Sequence, residues 1–333
     1  MTRTWKLGLA VACGLRLVAG TANAEPAKPV ATGCKAAEEV VTHETGSNER
    51  SRLEIAPSGH PFTHLVVDNP LGNVTVEGYD GTAVQIESRK HALDDDALDR
   101  LRVSLVPNAD GTVRITTTAD GGREVKPVAR GAVRIDLFIR APRAAHVEAA
   151  SSSGKLDIAN LDAGGDLDTA SGAISVCNVS GEVWTHSVTG VTKLAQVFGS
   201  VDAQSVSADV DLDSINGERL VATVDRGSIA GRRVRSRDIQ LTTTDGKIQL
   251  EAEVALHGKI SVASLGGDVD VRLRRHGAIV VRARGTKVDL GSFAQPRMLA
   301  DGWRQIALGD TDPAAAMIEL RSQHGNVQFV IVE

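Results

Sequence analysis

The central part of the chain repeats a pattern of apolar and polar positions every nine residues. The windows of nine begin at regularly spaced small residues, which are Gly172, Gly181, Gly190, Gly199, Ala208 and Gly217. The third and fifth residues of a window are mostly apolar, which predicts one short strand, and the glycine predicts a tight turn before it. The eighth residue is apolar in every window, as Val179, Val188, Val197, Val206, Ile215 and Val224.

Nine residues hold one strand and one turn, so a closed coil needs two windows. The pattern therefore predicts an all-β fold, a parallel β-solenoid or β-helix with about 18–20 residues per coil. The repeats are most regular over residues 151–291. Because the eighth residue is expected to fill a corner of the coil, Val188, Val197 and Val206 are predicted to be fully buried.

The remaining segments predict a single solenoid domain over residues 51–333. Alternating runs from Leu53 onward predict further strands before the regular repeats. Leu98, Leu101 and Leu105 follow helical spacing behind an acidic start, which predicts one short helix near residues 94–105. Residues 292–333 are first irregular and then strand-like, and we expect them to cap the apolar end of the solenoid.

The amino terminus predicts export. Residues 1–24 combine a basic start, an apolar stretch and small residues at Ala22 and Ala24, the pattern of a secretory signal peptide. The mature chain is expected in the periplasm or at the bacterial cell surface, with a flexible leader over residues 25–50 and no transmembrane segment. Cys34 and Cys177 would remain after cleavage, and they either form one disulfide or stay unpaired.

The composition agrees with a coil of small cross-section and argues against nucleic acid as a ligand. The chain has 33 glycines and only 3% aromatic residues, so its core is expected to consist of small aliphatic side chains. The formal charge is −5, and loss of the three cations of residues 1–24 would leave 34 basic against 42 acidic residues, or −8. An acidic chain with few aromatic rings is a poor partner for nucleic acid.

Little in the sequence predicts catalysis or a cofactor. The nine histidines are scattered, and the chain lacks metal-binding, nucleophile and phosphate-loop motifs. Gly164-Gly165-Asp166 and Gly266-Gly267-Asp268 resemble half of a calcium-binding nonapeptide, but each lacks the second half, so no metal is predicted.

Two groups of outward residues are candidates for binding. The fourth residues of alternate windows place Asp168, Trp184, Asp202 and Leu220 in one predicted column, in which an exposed ring among carboxylates could hold a glycan. The alternative is that a loop or the leader covers Trp184. Arg232, Arg233 and Arg235 form a basic cluster that could engage an anionic partner or an envelope protein, and the simpler alternative is a ladder of salt bridges with nearby acids.

The chain resembles the bacterial putative-adhesin domain family, a group of exported β-strand-repeat proteins related to the head-GIN proteins. The resemblance covers residues 53–333 and rests on four segments, which are residues 69–78, residues 135–142, the Ser-Gly units at Ser153 and Ser171, and residues 324–327. It implies a solenoid fold, an envelope or surface location and no established catalytic activity.

These observations favour an exported, non-enzymatic β-solenoid that serves as an adhesin or envelope interaction module. Two alternatives remain open. Solenoid lyases and hydrolases carry catalytic Asp, Lys or Arg on an exposed face, so a carbohydrate-active enzyme is the first. A structural or regulatory scaffold of the envelope is the second.

Overall fold

The computed structural model describes residues 46–57, 60–119, 133–254, 256–292, 295–309 and 315–332, all of which belong to one compact unit. In these ranges the chain folds as a β-solenoid. The strands are β1 (Ser47–Ile55), β2 (His64–Asp68), β3 (Val74–Tyr79), β4 (Val84–Ala92), β5 (Arg102–Pro107), β6 (Thr112–Thr118), β7 (Val133–Pro142), β8 (His146–Ser151), β9 (Leu156–Leu161), β10 (Gly165–Thr169), β11 (Ile174–Ser180), β12 (Val183–Ser187), β13 (Thr192–Phe198), β14 (Val201–Ser205), β15 (Val210–Arg226), β16 (Ile229–Asp245), β17 (Ile248–Glu253), β18 (Lys259–Ser264), β19 (Val269–Arg274), β20 (Ile279–Arg284), β21 (Val288–Asp289), β22 (Arg297–Met298), β23 (Arg304–Leu308), β24 (Ala316–Ser322) and β25 (Val327–Ile331).

Each regular coil contributes one strand to each of two faces, and the strands within a face are parallel. Face A contains, in spatial order, β7, β3, β9, β11, β13, the first half of β15, the first half of β16, β17, β19, β25 and β21. Face B contains β6, β2, β8, β10, β12, β14, the second half of β15, the second half of β16, β18, β24 and β20. The predicted parallel solenoid is confirmed.

Coil length can be taken from the register of face A. Ile174 pairs with Thr192 after 18 residues, and Val210 pairs with Ile229 after 19. Ile248 pairs with Val269 after 21, because the turn before β18 is longer. The interior is aliphatic, and of the described aromatic side chains only Phe62 and Phe329 are buried.

One turn of the coil is closed by a column of hydroxyls and glycines. In six coils a buried Ser or Thr hydroxyl accepts a hydrogen bond from the amide of the residue three positions later, at Ser151, Thr169, Ser187, Ser205, Ser264 and Ser322. That later residue is glycine in every case except Ala208. A Cβ on Gly172 or Gly190 would collide with the carbonyl oxygen of the glycine one coil below, so close stacking requires the glycine.

A second column of polar residues bends the strands of face A. Asn160, Asn178, Gln196, Ser214 and Arg233 have φ values between 50° and 61°, in the left-handed region. Asn178 donates a hydrogen bond from its side chain to that of Asn160 at 2.7 Å. The left-handed residue interrupts the strict alternation, so in these windows the eighth residue turns inward.

The predicted burial of all eighth residues is therefore wrong for two of the six windows. Val197 follows a left-handed residue and is fully buried, whereas Val188 and Val206 are 37% and 36% exposed. In β12 and β14 the alternation continues without a bend. The seventh residues, Ser187 and Ser205, then point inward, and the valines that follow them point outward.

The amino-terminal end is interleaved rather than sequential. The coil made of β2 and β3 lies between β6 and β7 on one side and β8 and β9 on the other. Three antiparallel pairings extend the sheet at this end: β4 pairs with β7, β1 pairs with β4, and β5 pairs with β6. Because β1 begins at Ser47, the predicted leader over residues 25–50 extends too far; residues 25–45 and the predicted signal peptide lie outside the described residues.

The carboxyl-terminal end is interleaved in the same way. β24 lies between β18 and β20, and β25 lies between β19 and β21. β23 pairs with β20 in the antiparallel direction, and β22 pairs with β23. The part of residues 292–333 that covers the end is therefore β22 and β23, whereas β24 and β25 form an inner coil.

The predicted helix is present but shorter than residues 94–105. α1 spans Asp95–Leu98, and the side chain of Asp94 caps it by accepting a hydrogen bond from the amide of Ala97. Leu101 is fully buried after the helix, and Leu105 lies in β5, where pairing with β6 overrides the helical spacing. A short 3₁₀ helix spans Ala300–Gly302.

Candidate functional site

The strands of face B place Trp184 between two carboxylates. Trp184 lies in β12, and its register partners in the adjacent strands are Asp166 of β10 and Asp202 of β14. Val183 and Thr185 on either side of it point into the core, so the pleat directs the indole outward, where it is half-buried. Neighbouring strands are about 4.8 Å apart, so all three side chains are within reach of one ligand.

A parallel column extends this surface. Asp168, His186 and Gln204 are register partners in the same three strands. The His186 ring stacks beside the Trp184 ring, with centroids 6.0 Å apart and planes 19° apart, and its Nδ1 lies 3.2 Å from Asp168 Oδ1. Trp184 and His186 therefore form one aromatic strip bordered by carboxylates.

The surface carries an excess of negative charge. Glu148 of β8 stands in register with Asp166, so β8 adds a fourth strand to the surface and a further outward acid. His146 Nε2 lies 3.5 Å from Asp166 Oδ2, and the side-chain amide of Gln204 donates to Asp202 at 3.2 Å. Among the residues that the structure describes, no Lys or Arg forms an ion pair with Glu148, Asp166, Asp168 or Asp202. We call Glu148, Asp166, Asp168, Trp184, His186 and Asp202 the acidic-aromatic patch.

The predicted column was partly wrong in its register. Asp168 was expected beside Trp184, but Gly165 is itself a strand residue paired with Val183, so Asp166 takes that place. Leu220 was expected to continue the column outward. The coil from Val201 to Leu220 has 19 residues, so Leu220 points inward and Val221 aligns with Asp202.

The predicted arginine cluster lies on β16, away from the patch on face B. Arg232 aligns with Asp213 on face A. Arg233 donates to Ser214 Oγ at 2.9 Å and pairs with Asp213, while Arg235 Nε lies 2.7 Å from Glu253 Oε2. Arg233 and Arg235 thus belong to a salt-bridge ladder, which is the simpler of the two interpretations that the sequence offered. The structure does not bring the three arginines together with Trp184.

The same ladder borders a groove that the sequence did not predict. Its volume is about 380 Å³, and it lies where β16 and β17 change register after Gly231. It is lined by Phe198, Arg233, Arg235, Glu251, Glu253 and Arg274, among others. Burial raises the pKa of Glu253, but His276 at 2.7 Å and Arg235 more than offset this and lower it below the usual value.

The remaining expectations concern a disulfide, metal ions and the membrane. Cys177 is disulfide-bonded on face A, and the predicted partner, Cys34, lies outside the described residues, so that pairing stays a prediction. Within the described ranges, no three His, Cys, Asp or Glu side chains are grouped to hold a metal ion. In the same part of the chain, no helix has the length and apolarity needed to cross a membrane.

Comparison with known families identifies the fold. The sequence model of the Toastrack DUF4097 family matches residues 62–329, from just before β2 to within β25. The chain belongs to this family. The match includes both interleaved ends of the Toastrack domain and leaves β1 outside it. This family match confirms the resemblance that the sequence suggested.

The chain is also similar to several solved structures of distant sequence. A putative adhesin from Parabacteroides merdae is 12% identical, with a TM-score of 0.42, over 86% of this chain and 98% of the other. A putative lipid binding protein from Parabacteroides distasonis is 12% identical, with a TM-score of 0.41, over 87% and 99%. A search of curated proteins found no match.

Proposed function

We propose that this chain is an exported, non-enzymatic binding module of the cell envelope that holds a saccharide on the acidic-aromatic patch. The observation that carries the proposal is the position of Trp184, whose half-exposed ring lies in register between Asp166 and Asp202. An outward tryptophan is unusual in a chain with only 3% aromatic residues, so its place among carboxylates calls for an explanation.

The chemistry of the patch suits a sugar. An indole ring offers a flat apolar surface for the C–H face of a pyranose, while carboxylates accept hydrogen bonds from its hydroxyl groups. Hydrogen bonds to a charged acceptor contribute more than neutral ones. The negative charge of Glu148, Asp166, Asp168 and Asp202 favours neutral or amino sugars and disfavours uronic acids.

The shape of the face favours an extended ligand over a small buried one. Face B is a parallel sheet whose turns are short, and the patch spans β8, β10, β12 and β14 along the solenoid. Four strands cover about 15 Å, which corresponds to a few sugar units. The predicted signal peptide at residues 1–24 supports an encounter with such ligands in the periplasm or at the cell surface.

A glycan array probed with the purified, exported chain tests the proposal. We expect binding of neutral or amino-sugar oligosaccharides, and Trp184→Ala should weaken it at least about tenfold, because the stacking surface is lost. The matched control is Phe198→Ala. It removes another exposed aromatic ring, 52% exposed but on face A, and should leave binding unchanged.

The result also separates the alternatives. No glycan binding by the unaltered chain, or equal losses in the two variants, would contradict a saccharide site on face B. Release of shortened polysaccharide that disappears in Asp166→Asn would instead support an enzyme. Retention of one membrane protein by a chain that binds no glycan would support a scaffold.

A further inference from the structure

Two arginines lie side by side at the carboxyl-terminal end of face B. Arg284 of β20 and Arg321 of β24 are register partners in adjacent parallel strands, and both side chains are exposed. Adjacent strands place them about 4.8 Å apart at the backbone. Like charges in this position repel each other, so the arrangement costs stability unless something neutralises it.

Nothing in the described part of the chain neutralises this pair. Neither guanidinium has an ion-pair or hydrogen-bond partner there, in contrast to Arg282 on the same strand, whose Nε donates to Gln305 at 3.0 Å. The acid on β24, Glu319, stands in register with Arg282 rather than with Arg284. The two charges therefore remain available to a ligand.

The pair lines a groove of about 630 Å³ whose other walls supply hydroxyls and amides. These walls come from the ends of the strands and the turns after them, and they include Thr242, Thr244, Ser264, Thr286 and Gln323. No carboxylate of a described residue lines the groove. Planar guanidinium groups bind tetrahedral oxyanions through paired hydrogen bonds, and hydroxyls add further donors.

We propose that this groove is a binding site for a phosphate or sulfate group, held by Arg284 and Arg321. It is distinct from the acidic-aromatic patch, since it lies on β16, β18, β24 and β20 rather than on β8 to β14 and has the opposite charge. It does not depend on the saccharide proposal. The site exists only because β24 inserts between β18 and β20, which brings together arginines that are 37 residues apart in sequence.

Inorganic phosphate, titrated into the full chain and followed by ³¹P line broadening, tests the site. The variant Arg284→Gln with Arg321→Gln should bind phosphate at least about a hundredfold more weakly, since each charge-assisted pair contributes about tenfold or more. The control is Arg272→Gln with Arg297→Gln. This control also removes two positive charges, but from exposed positions outside the groove, so it should bind phosphate as the unaltered chain does.

The outcomes are separable from those of the glycan array. No phosphate binding by the unaltered chain at millimolar concentration, or equal losses in the two double variants, overturns the site. Two further arms identify the source of the oxyanion. Dextran sulfate binding that depends on Arg284 and Arg321 supports the site with an anionic glycan as ligand, and such binding to phosphatidylglycerol vesicles supports it with a lipid headgroup.

Discussion

Ser187 and Gly190 close one turn of the solenoid through a single buried hydroxyl. Ser187 Oγ lies 2.6 Å from the carbonyl oxygen of Gly190, to which it donates, and 2.8 Å from the amide nitrogen, from which it accepts. The glycine also faces the backbone of Gly172 one coil below, with no room for a Cβ. Turn geometry and coil stacking thus depend on the same residue.

Gly190→Ala should therefore destabilise the fold strongly. The new Cβ would collide with the carbonyl oxygen of Gly172, and because that atom is backbone, the coils must separate locally. We expect a loss of about 3 kcal/mol in the free energy of unfolding, measured by urea denaturation. The control is Ala208→Gly in the same column, which adds no atoms and should cost at most about 1 kcal/mol. Equal losses in the two variants would contradict the stacking argument.

Replacing the eighth residue of a window by Asp should destabilise the fold strongly where that residue is buried and only slightly where it is exposed. Val197→Asp places a carboxylate in the core without a partner and should cost more than about 3 kcal/mol or prevent folding. Val188→Asp adds the same charge at a surface position and should change stability by less than about 1 kcal/mol. Circular dichroism melting of both variants measures the difference. A Val188→Asp variant as unstable as Val197→Asp would refute the observed register.

These positions show what the sequence could and could not predict. The nine-residue period revealed the strands, the turns and the parallel stacking, because inward side chains at the third and fifth positions recur in each window. It did not distinguish Val188 from Val197. That difference arises because Gln196 has a left-handed backbone conformation. A polar residue before an apolar one is only a weak signal of that conformation in the sequence.

Long-range pairing explains what was missed in the fold and in the sites. Nothing local to β2 or β24 indicates that each inserts between strands that are distant in sequence. The arginine groove depends on that insertion and could not be predicted. Trp184 was placed outward correctly from the alternation of β12, but its neighbour Asp166 was not found, because Gly165 occupies a strand position rather than a turn.

Glu87 makes the amino-terminal cap sensitive to acid. Arg50 and Arg52 of β1 and Arg89 of β4 all donate to its carboxylate, at distances of 2.7 to 2.9 Å. The hydrogen bond from Arg50 is the largest effect; burial opposes it, and Arg89 and Arg52 add to it, so that the pKa of Glu87 is lowered from 4.5 to about 2. These contacts attach β1 to the sheet.

Because the folded state has the lower pKa, this contribution is fully present above about pH 4.5 and is lost as the pH falls towards about 2. Glu87→Gln should therefore reduce stability by about 2 kcal/mol near neutral pH and by much less near pH 2. Urea denaturation of both proteins across this range gives the difference at each pH. The control, Glu148→Gln, loses the same formal charge without an arginine partner among the described residues. A difference for Glu87→Gln that does not shrink in acid would contradict the linkage.

Thr185 offers the opposite test, a substitution that should stabilise the chain. Its side chain is fully buried between Leu167 and Ala203 of the adjacent strands, and its hydroxyl has no hydrogen-bond partner among the described residues. Thr185→Val keeps the shape and removes an unsatisfied polar atom, so the free energy of unfolding should rise by about 1 kcal/mol. Ser187→Ala in the same strand is the control. Its equally buried hydroxyl makes two hydrogen bonds to Gly190, so its loss should lower stability by about 1 to 2 kcal/mol. If Thr185→Val were as damaging as Ser187→Ala, the Thr185 hydroxyl would have to be hydrogen-bonded in the folded chain.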